Sequence, residues 1–155
     1  MAKTQFVLVT DWHFDAPIEK VWALIEDVEA WPHWWRAVCK VALLKAGGED
    51  GVGSVRRLTW ATALPYTLTF DVELVRIEPG RLSEGRAFGE LDGTGLWTLA
   101  EDGAGTHVRY DWRVDVAKPW MRMLAPLLRP VFAWNHKVVM RWGEEGARRR
   151  LAQLG

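Results

Sequence analysis

The stretch Val108-Arg109-Tyr110-Asp111-Trp112-Arg113-Val114-Asp115-Val116 decides the architecture. Its apolar and polar residues alternate without a break, the period of two that marks a β-strand with one dry face and one wet face. From Pro119 the period becomes helical and stays so to Leu154. Pro126 and Pro130 each lack an N–H, so the pattern predicts a short helix near residues 120–125 and a long one from about Pro130. On a helical wheel Val131, Phe132, Asn135, Val139, Trp142, Gly143 and Gly146 share one side, and Lys137, Arg141, Glu144 and Arg148 lie opposite. The two glycines fall where the helix would approach a sheet closely.

Upstream of this strand the pattern is mostly of the same kind. Residues 5–14 alternate Phe6, Leu8, Thr10, Trp12 and Phe14 with Val7, Val9, Asp11 and His13, which reads as a first strand. Asp15-Ala16-Pro17 then opens a helix whose Ile18, Val21, Trp22, Ile25 and Val28 form one stripe. A second short helix is expected within residues 29–37, started around Pro32. Strands follow at residues 38–46 and 53–63, then along Tyr66, Leu68, Phe70, Val72 and Leu74, then at 82–91 and 95–100. Gly-rich and Pro-containing turns separate them, with Asp92-Gly93 read as a tight-hairpin signal. A seven-stranded sheet with one apolar face needs a cover, and the last helix is the element long enough to supply it. The expected class is α+β: a curved antiparallel sheet of about seven strands wrapped around a long C-terminal helix, with two short helices after the first strand. One domain over residues 1–155 is expected.

Such a sheet need not close on its helix everywhere, so a cavity is expected between them. Ser83, Gly85, Ala87 and Gly89 share one face of a strand and leave space if they point inward; otherwise Leu82, Glu84, Arg86 and Phe88 line the interior. Parity alone leaves both choices open. The chain has eleven Trp, whose large rings and single N–H suit a cavity wall, although each could equally fill core.

Composition removes several function classes. Twenty basic and twenty acidic residues cancel, so no general field attracts nucleic acid. The lone Cys39 cannot form an intrachain disulfide, and residues 1–12 lack a secretory pattern, which makes the cytoplasm the expected compartment. The apolar region 119–134 is interrupted by Arg122, Arg129 and two interior prolines, so no transmembrane segment is expected. His13, His33, His107 and His136 have no metal-ligand spacing, and the glycines at 47, 48, 51 and 53 join strands instead of cradling phosphate. Neither metal nor cofactor is expected, and oligomeric state carries no sequence signal.

The most informative polar pair is Asn135 and His136. An amide amid the apolar helix face must be hydrogen-bonded, either to a ligand carbonyl or hydroxyl or to a backbone group of the sheet. His136, at the edge of that face, could donate, accept or act as a base, or serve structurally; neither residue has a sequence partner completing a triad. Tyr66 and Tyr110 are in phase with apolar strand residues and could present hydroxyls to the cavity or fill core. Trp60, Phe70, Phe88, Trp112, Phe132, Val139 and Trp142 complete the expected ligand-binding set. Arg56 shares a face with Leu58 and Trp60, and Glu84, Arg86 and Glu90 share one with Phe88; inward they could hold a carboxylate or move a proton, outward they are solvated.

The opening Asp15-Ala16-Pro17-Ile18-Glu19-Lys20-Val21-Trp22, the later Trp34-Trp35 and the strand-to-long-helix ending resemble the START-like (SRPBCC) superfamily, the birch-pollen-allergen-like helix-grip fold. The likeness is to its polyketide cyclase/dehydrase and lipid-transport branch. Residues 89–97, Lys118-Pro119-Trp120-Met121, Trp134-Asn135-His136 and Val139-Met140 resemble bacterial members without an assigned reaction. The resemblance implies the fold and an apolar ligand such as an aromatic polyketide, a sterol or an acyl chain. A fold does not by itself imply catalysis. The first expectation is binding or transport of a small hydrophobic molecule. The second is a cyclase or dehydratase in which one or two of His136, Asn135, Tyr66, Tyr110 or Glu84 move protons, and the third is a protein-interaction module. The segment holding Trp120, Met121, Met123, Leu124, Leu127 and Leu128 is expected to border the cavity mouth, as a gate, as a transient membrane contact, or as simple packing.

Overall fold

The computed structural model describes residues 5–65, 67–89, 91–115 and 119–154, the side chains at 120 and 121 excepted. Strand β1 (Gln5–Phe14) leads into helix α1 (Ile18–Glu26) and a 3-10 helix (Val28–His33). Six strands follow: β2 (Val38–Lys45), β3 (Val55–Ala61), β4 (Thr67–Glu78), β5 (Leu82–Gly89), β6 (Asp92–Asp102) and β7 (Gly105–Asp115). Helices α2 (Pro119–Met123) and α3 (Ala125–Leu154) end the described chain. The seven strands form one antiparallel sheet in the order β1-β7-β6-β5-β4-β3-β2. Consecutive strands pair except at β1, which returns to β7 after the two short helices carry the chain across to the far edge. This is the expected helix-grip architecture, with α3 lying against the concave face.

Three local expectations need correction. Pro32 lies inside the 3-10 helix instead of starting a helix; with i→i+3 bonding the element begins one turn earlier, on Val28. Asp92-Gly93 lies in β6, not in a hairpin turn. Its glycine answers strand proximity, because a Cβ there would stand 2.0 Å from the Arg113 carbonyl oxygen. The chain leaves β5 at Gly89, whose φ of +113° few other residues adopt. Lastly, α3 starts at Ala125 and contains Pro130. Pro126 is the second helical residue, where an N–H has no intrahelical acceptor, and Pro130 costs only the next bond in the ladder. The Leu127 and Leu128 amides instead bond the Leu124 carbonyl, which starts the helix cleanly.

The inward parity of β5 is resolved by its register. Gly85, Ala87 and Gly89 face Leu74, Val72 and Phe70 of β4, so the small residues point inward. On β6, Gly93 and Gly95 continue this trough opposite Val114 and Trp112. Phe70 and Trp112 come from strands three positions apart, a separation of ~14 Å at ~4.8 Å per strand in a flat sheet. Their ring centroids are nonetheless 5.8 Å apart. Strong curvature and absent side chains on β5 and β6 let the large rings meet above the trough.

The main core adjoins the cavity and shares several side chains with its wall. Trp12, Trp22, Trp31, Trp34, Trp35 and Trp97 are buried together with Ile25, Val108, Met140 and Leu151. Two glycines of α3 allow the approach: a Cβ on Gly143 would fall 2.6 Å from the Trp35 ring, and one on Gly146 would fall 1.7 Å from the Trp34 carbonyl oxygen. The expected close approach is present, against Trp34 and Trp35 just past the 3-10 helix as much as against Trp12 of the sheet. Trp35 Nε1 donates to the Val139 carbonyl at 2.9 Å, and Trp31 Nε1 to the Ile25 carbonyl at 3.1 Å. Thus several Trp fill core, the alternative the sequence left open, while others reach a cavity.

Candidate functional site

Between α3 and the concave face lies a cavity of about 660 Å³. Six aromatic rings on its wall, which also carries many aliphatic side chains, form a closed circuit of pairwise contacts. Trp60 stacks on Phe70 (6.2 Å), Phe70 meets Trp112 (5.8 Å), and Trp112 stacks on Tyr110 (6.0 Å). Tyr110 stacks on Trp97 (4.2 Å), Trp97 meets Trp31 (6.0 Å), and Trp31 returns to Trp60 (6.3 Å). Six rings from β3, β4, β7, β6 and the 3-10 helix are therefore linked in one series of contacts, and all six line the cavity. Alternation makes this arrangement: Tyr110 and Trp112 sit two apart on β7, Trp97 opposes Tyr110, and Gly95 opposes Trp112. A Cβ at Gly95 would stand 2.4 Å from the Tyr110 hydroxyl, so the glycine makes room for the phenol.

The polar groups on the wall are few. Asn135, 7% exposed, accepts a hydrogen bond at Oδ1 from the Ala63 N–H at 2.8 Å. A backbone N–H demands an acceptor, which fixes the amide with its NH2 group turned the other way. Asn135 therefore ties α3 to the turn after β3, the structural role among its two expected ones, while its NH2 remains as a further donor on a residue that lines the cavity. Burial lowers the His136 pKa to about 4, so its imidazole is neutral at physiological pH. Its Nε2 is buried and has no partner among the described residues, and the same is true of Trp60 Nε1. Burial raises the Tyr110 pKa, keeping a neutral hydroxyl that can donate or accept. Arg56 lies on the inner face with Leu58 and Trp60, held by Glu29 of the 3-10 helix and by the Ser54 hydroxyl.

His136 makes a pH dependence. An unfolded histidine protonates near its ordinary pKa of ~6.5, whereas the folded one does so only near 4. The group's contribution is fully present above pH ~6.5 and is lost progressively as pH falls to about 4, roughly 3 kcal/mol in all. Urea unfolding between these pH values is expected to show a steeper loss of stability in the wild type than in His136→Leu. Equal slopes would mean that the folded imidazole titrates normally.

Of the residues expected at a ligand site, Trp60, Phe70, Tyr110, Trp112, Phe132, Asn135, His136 and Val139 line the cavity. Tyr66 lies outside the described residues, as does Glu90. Phe88 does not line it: with Ala87 inward its ring points to the outer face, where the Arg86 guanidinium stands 5.7 Å from it. Glu84 is likewise outward, paired with Arg76 at 3.2 Å. Trp142 packs against the main core with the Arg36 guanidinium 4.3 Å over its ring and is not part of the wall. Trp31 and Trp97 belong to the circuit but were absent from the expected set. The signal for Trp97 was its phase with Gly93, Gly95 and Leu99; Trp31 had none, because a 3-10 helix presents no sheet parity. No cluster of His, Cys, Asp and Glu suited to a metal ion occurs among the described residues.

A sheet gripping one helix over an aromatic cavity defines a helix-grip ligand-pocket fold. The chain belongs to the polyketide cyclase/dehydrase and lipid transport family, whose model matches residues 5–154. Among solved structures it is similar to a START superfamily protein from Mycobacterium smegmatis, with a TM-score of 0.79 and 16% identity over 96% of this chain and 99% of that one. It is also similar to the Zhui aromatase/cyclase from Streptomyces sp. R1128, with a TM-score of 0.75 and 15% identity over 96% and 94% of the two chains. A Thermus thermophilus protein matches at a TM-score of 0.73 and 17% identity, over 92% and 97%. At these identities the likeness is one of fold. No curated protein matches the chain. Among the described residues, no helix is long and apolar enough to cross a membrane.

Proposed function

We propose that this protein binds or carries a small, largely apolar, ring-containing molecule in the cavity between α3 and the sheet. The observation that carries this reading is the closed circuit of six aromatic rings on its wall. Aromatic faces favour flat partners by offset stacking and edge contact. A space of about 660 Å³ falls within the size range of ordinary small-molecule sites. The unpartnered Trp60 Nε1, the Asn135 NH2 and the Tyr110 hydroxyl supply donors for one or two oxygens of such a guest. Family membership agrees with a ligand of this kind.

The second reading is cyclase or dehydratase catalysis in the same space. The neutral His136 imidazole on the wall supports it, because a neutral imidazole can accept a proton. Against it, no hydrogen bond joins His136 to a second titratable group among the described residues, and a pKa near 4 makes a weak base. Carriage is therefore the preferred reading.

Native mass spectrometry of freshly purified protein, with extraction and identification of any adduct, tests the binding. A flat polycyclic or lipid-like molecule at one per chain is the expected result. Trp112→Ala removes one ring of the circuit at a position only half-buried, and is expected to weaken that binding about tenfold or more. Absence of any adduct, together with unchanged Trp fluorescence across a panel of polycyclic and acyl compounds, would overturn the proposal. Conversion of the guest, abolished by His136→Leu, would favour the enzyme.

A further inference from the structure

We propose that the exposed apolar stripe on α2 and the first turns of α3 docks this protein on an anionic lipid bilayer, with the cavity rim at the lipid surface. Met123 is 80% exposed, Leu127 75% and Trp134 52%, with Leu124 and Val131 also exposed. Leu127, Val131 and Trp134 follow one another at i, i+4 and i+7, so they form one ridge along the helix. Other exposed aliphatic residues, such as Val7 and Val9 on β1, stand among charged cross-strand neighbours: Arg113 opposes Val7 and Asp111 opposes Val9.

Two observations select the partner. The first is charge. From residue 116 to residue 143 the sequence has no Asp or Glu and has five basic residues, Lys118, Arg122, Arg129, Lys137 and Arg141. The whole chain is neutral, so this local excess is balanced elsewhere and is not a property of composition. Arg129 is turned to the Gln5 carbonyl and the Phe6 ring, whereas Lys137 and Arg141, three and seven residues past Trp134, are exposed and continue its face of α3. Apolar residues on one helical face with these cations beside them match a surface that is apolar below and negative above, which is the headgroup region of an anionic bilayer. A half-exposed Trp134 suits that boundary, where a ring can enter the acyl region while its N–H stays hydrated. The second is continuity. Val131 belongs both to the exposed ridge and to the cavity wall, and Leu128 and Phe132, its neighbours on α3, line the cavity. A membrane seated on the ridge would lie at the edge of the apolar space, so a guest could pass between them without crossing water.

The readout needs no cavity ligand, so its failure and that of the cavity reading are distinguishable. Full-length protein is sedimented with vesicles of mixed phosphatidylglycerol and phosphatidylcholine and with vesicles of phosphatidylcholine alone. Binding to the mixed vesicles is expected, about tenfold or more weaker on the neutral ones and reduced by high salt. Leu127→Asp, at an exposed site, is expected to keep the far-UV circular dichroism of the wild type and to weaken binding about tenfold or more. Val9→Asp, on the outer sheet face, is expected to leave it unchanged. Failure of the wild type to sediment with the mixed vesicles overturns the proposal, and so does equal binding by Leu127→Asp. Dimerisation in solution that Leu127→Asp abolishes, without vesicle binding, assigns the ridge to a second copy of the chain and equally overturns it.

Discussion

Trp35→Ala is expected to destabilise the protein by about 5 kcal/mol, the upper end of what truncating a buried Trp costs. The ring is 1% exposed and touches five other Trp rings: Trp12, Trp31, Trp34, Trp60 and Trp97, at centroid distances of 5.1 to 6.2 Å. None of these neighbours can collapse into the space, because each is held by further rings, so most of the void would persist. The change also removes the Nε1 donor to the Val139 carbonyl, a hydrogen bond that ties this cluster to α3. The total is comparable with the ~5–15 kcal/mol that ordinarily separates folded from unfolded protein. Urea unfolding followed by far-UV circular dichroism measures it. Trp35→Phe is expected to lose only part of this stability, since it keeps much of the ring packing without the hydrogen bond. A loss below about 1 kcal/mol for the alanine variant would mean that the Trp cluster is loosely packed.

Gly146→Ala is the second large effect, and its sign runs against helix propensity. In an exposed helix interior this change stabilises by about 1 kcal/mol. Here the new Cβ would lie 1.7 Å from the Trp34 carbonyl oxygen and 2.9 Å from its carbon. Those are backbone atoms, so no rotamer change relieves the overlap, and the segment holding Trp34 must separate from α3. The expected loss is about 3 kcal/mol or more. For a chain of this size that lowers Tm by roughly 6–12 °C. Gly143→Ala meets ring atoms of Trp35 and Trp12 at 2.6 and 2.9 Å and should act in the same direction. A raised Tm for Gly146→Ala would show that α3 and the Trp34 backbone are not in this contact.

Much of the fold was legible because strand parity is a strict rule. Every residue of β7 from Val108 to Val114 takes the face its alternation predicts, and β1 buries Phe6, Trp12 and Phe14 as its pattern requires. The glycines of α3 were likewise readable as contact points. Where the reading failed, a local rule met a tertiary demand. Asp92-Gly93 has the composition of a hairpin turn, yet Gly93 serves close strand approach. Pro130 has the look of a helix start, yet one missing hydrogen bond near an exposed helix end costs less than a break in α3 would. Phe88 is as apolar as Phe70, and only the inward glycines of β5 show that its ring faces out.

By itself the sequence determined the strands, their dry faces, the covering helix and the residue types available for an apolar pocket, because these follow from periods of two and 3.6 in side-chain direction. Only the tertiary structure decided which rings meet. Trp60, Phe70, Trp112, Tyr110, Trp97 and Trp31 come from five separate elements, and a belt of contacts between them exists only once the sheet has curved over its glycine trough. The same holds for Asn135, whose partner Ala63 is 72 residues away in the chain. Periodicity assigns a side chain to a face, whereas a site depends on distances between faces, and those are set by sheet curvature and helix approach.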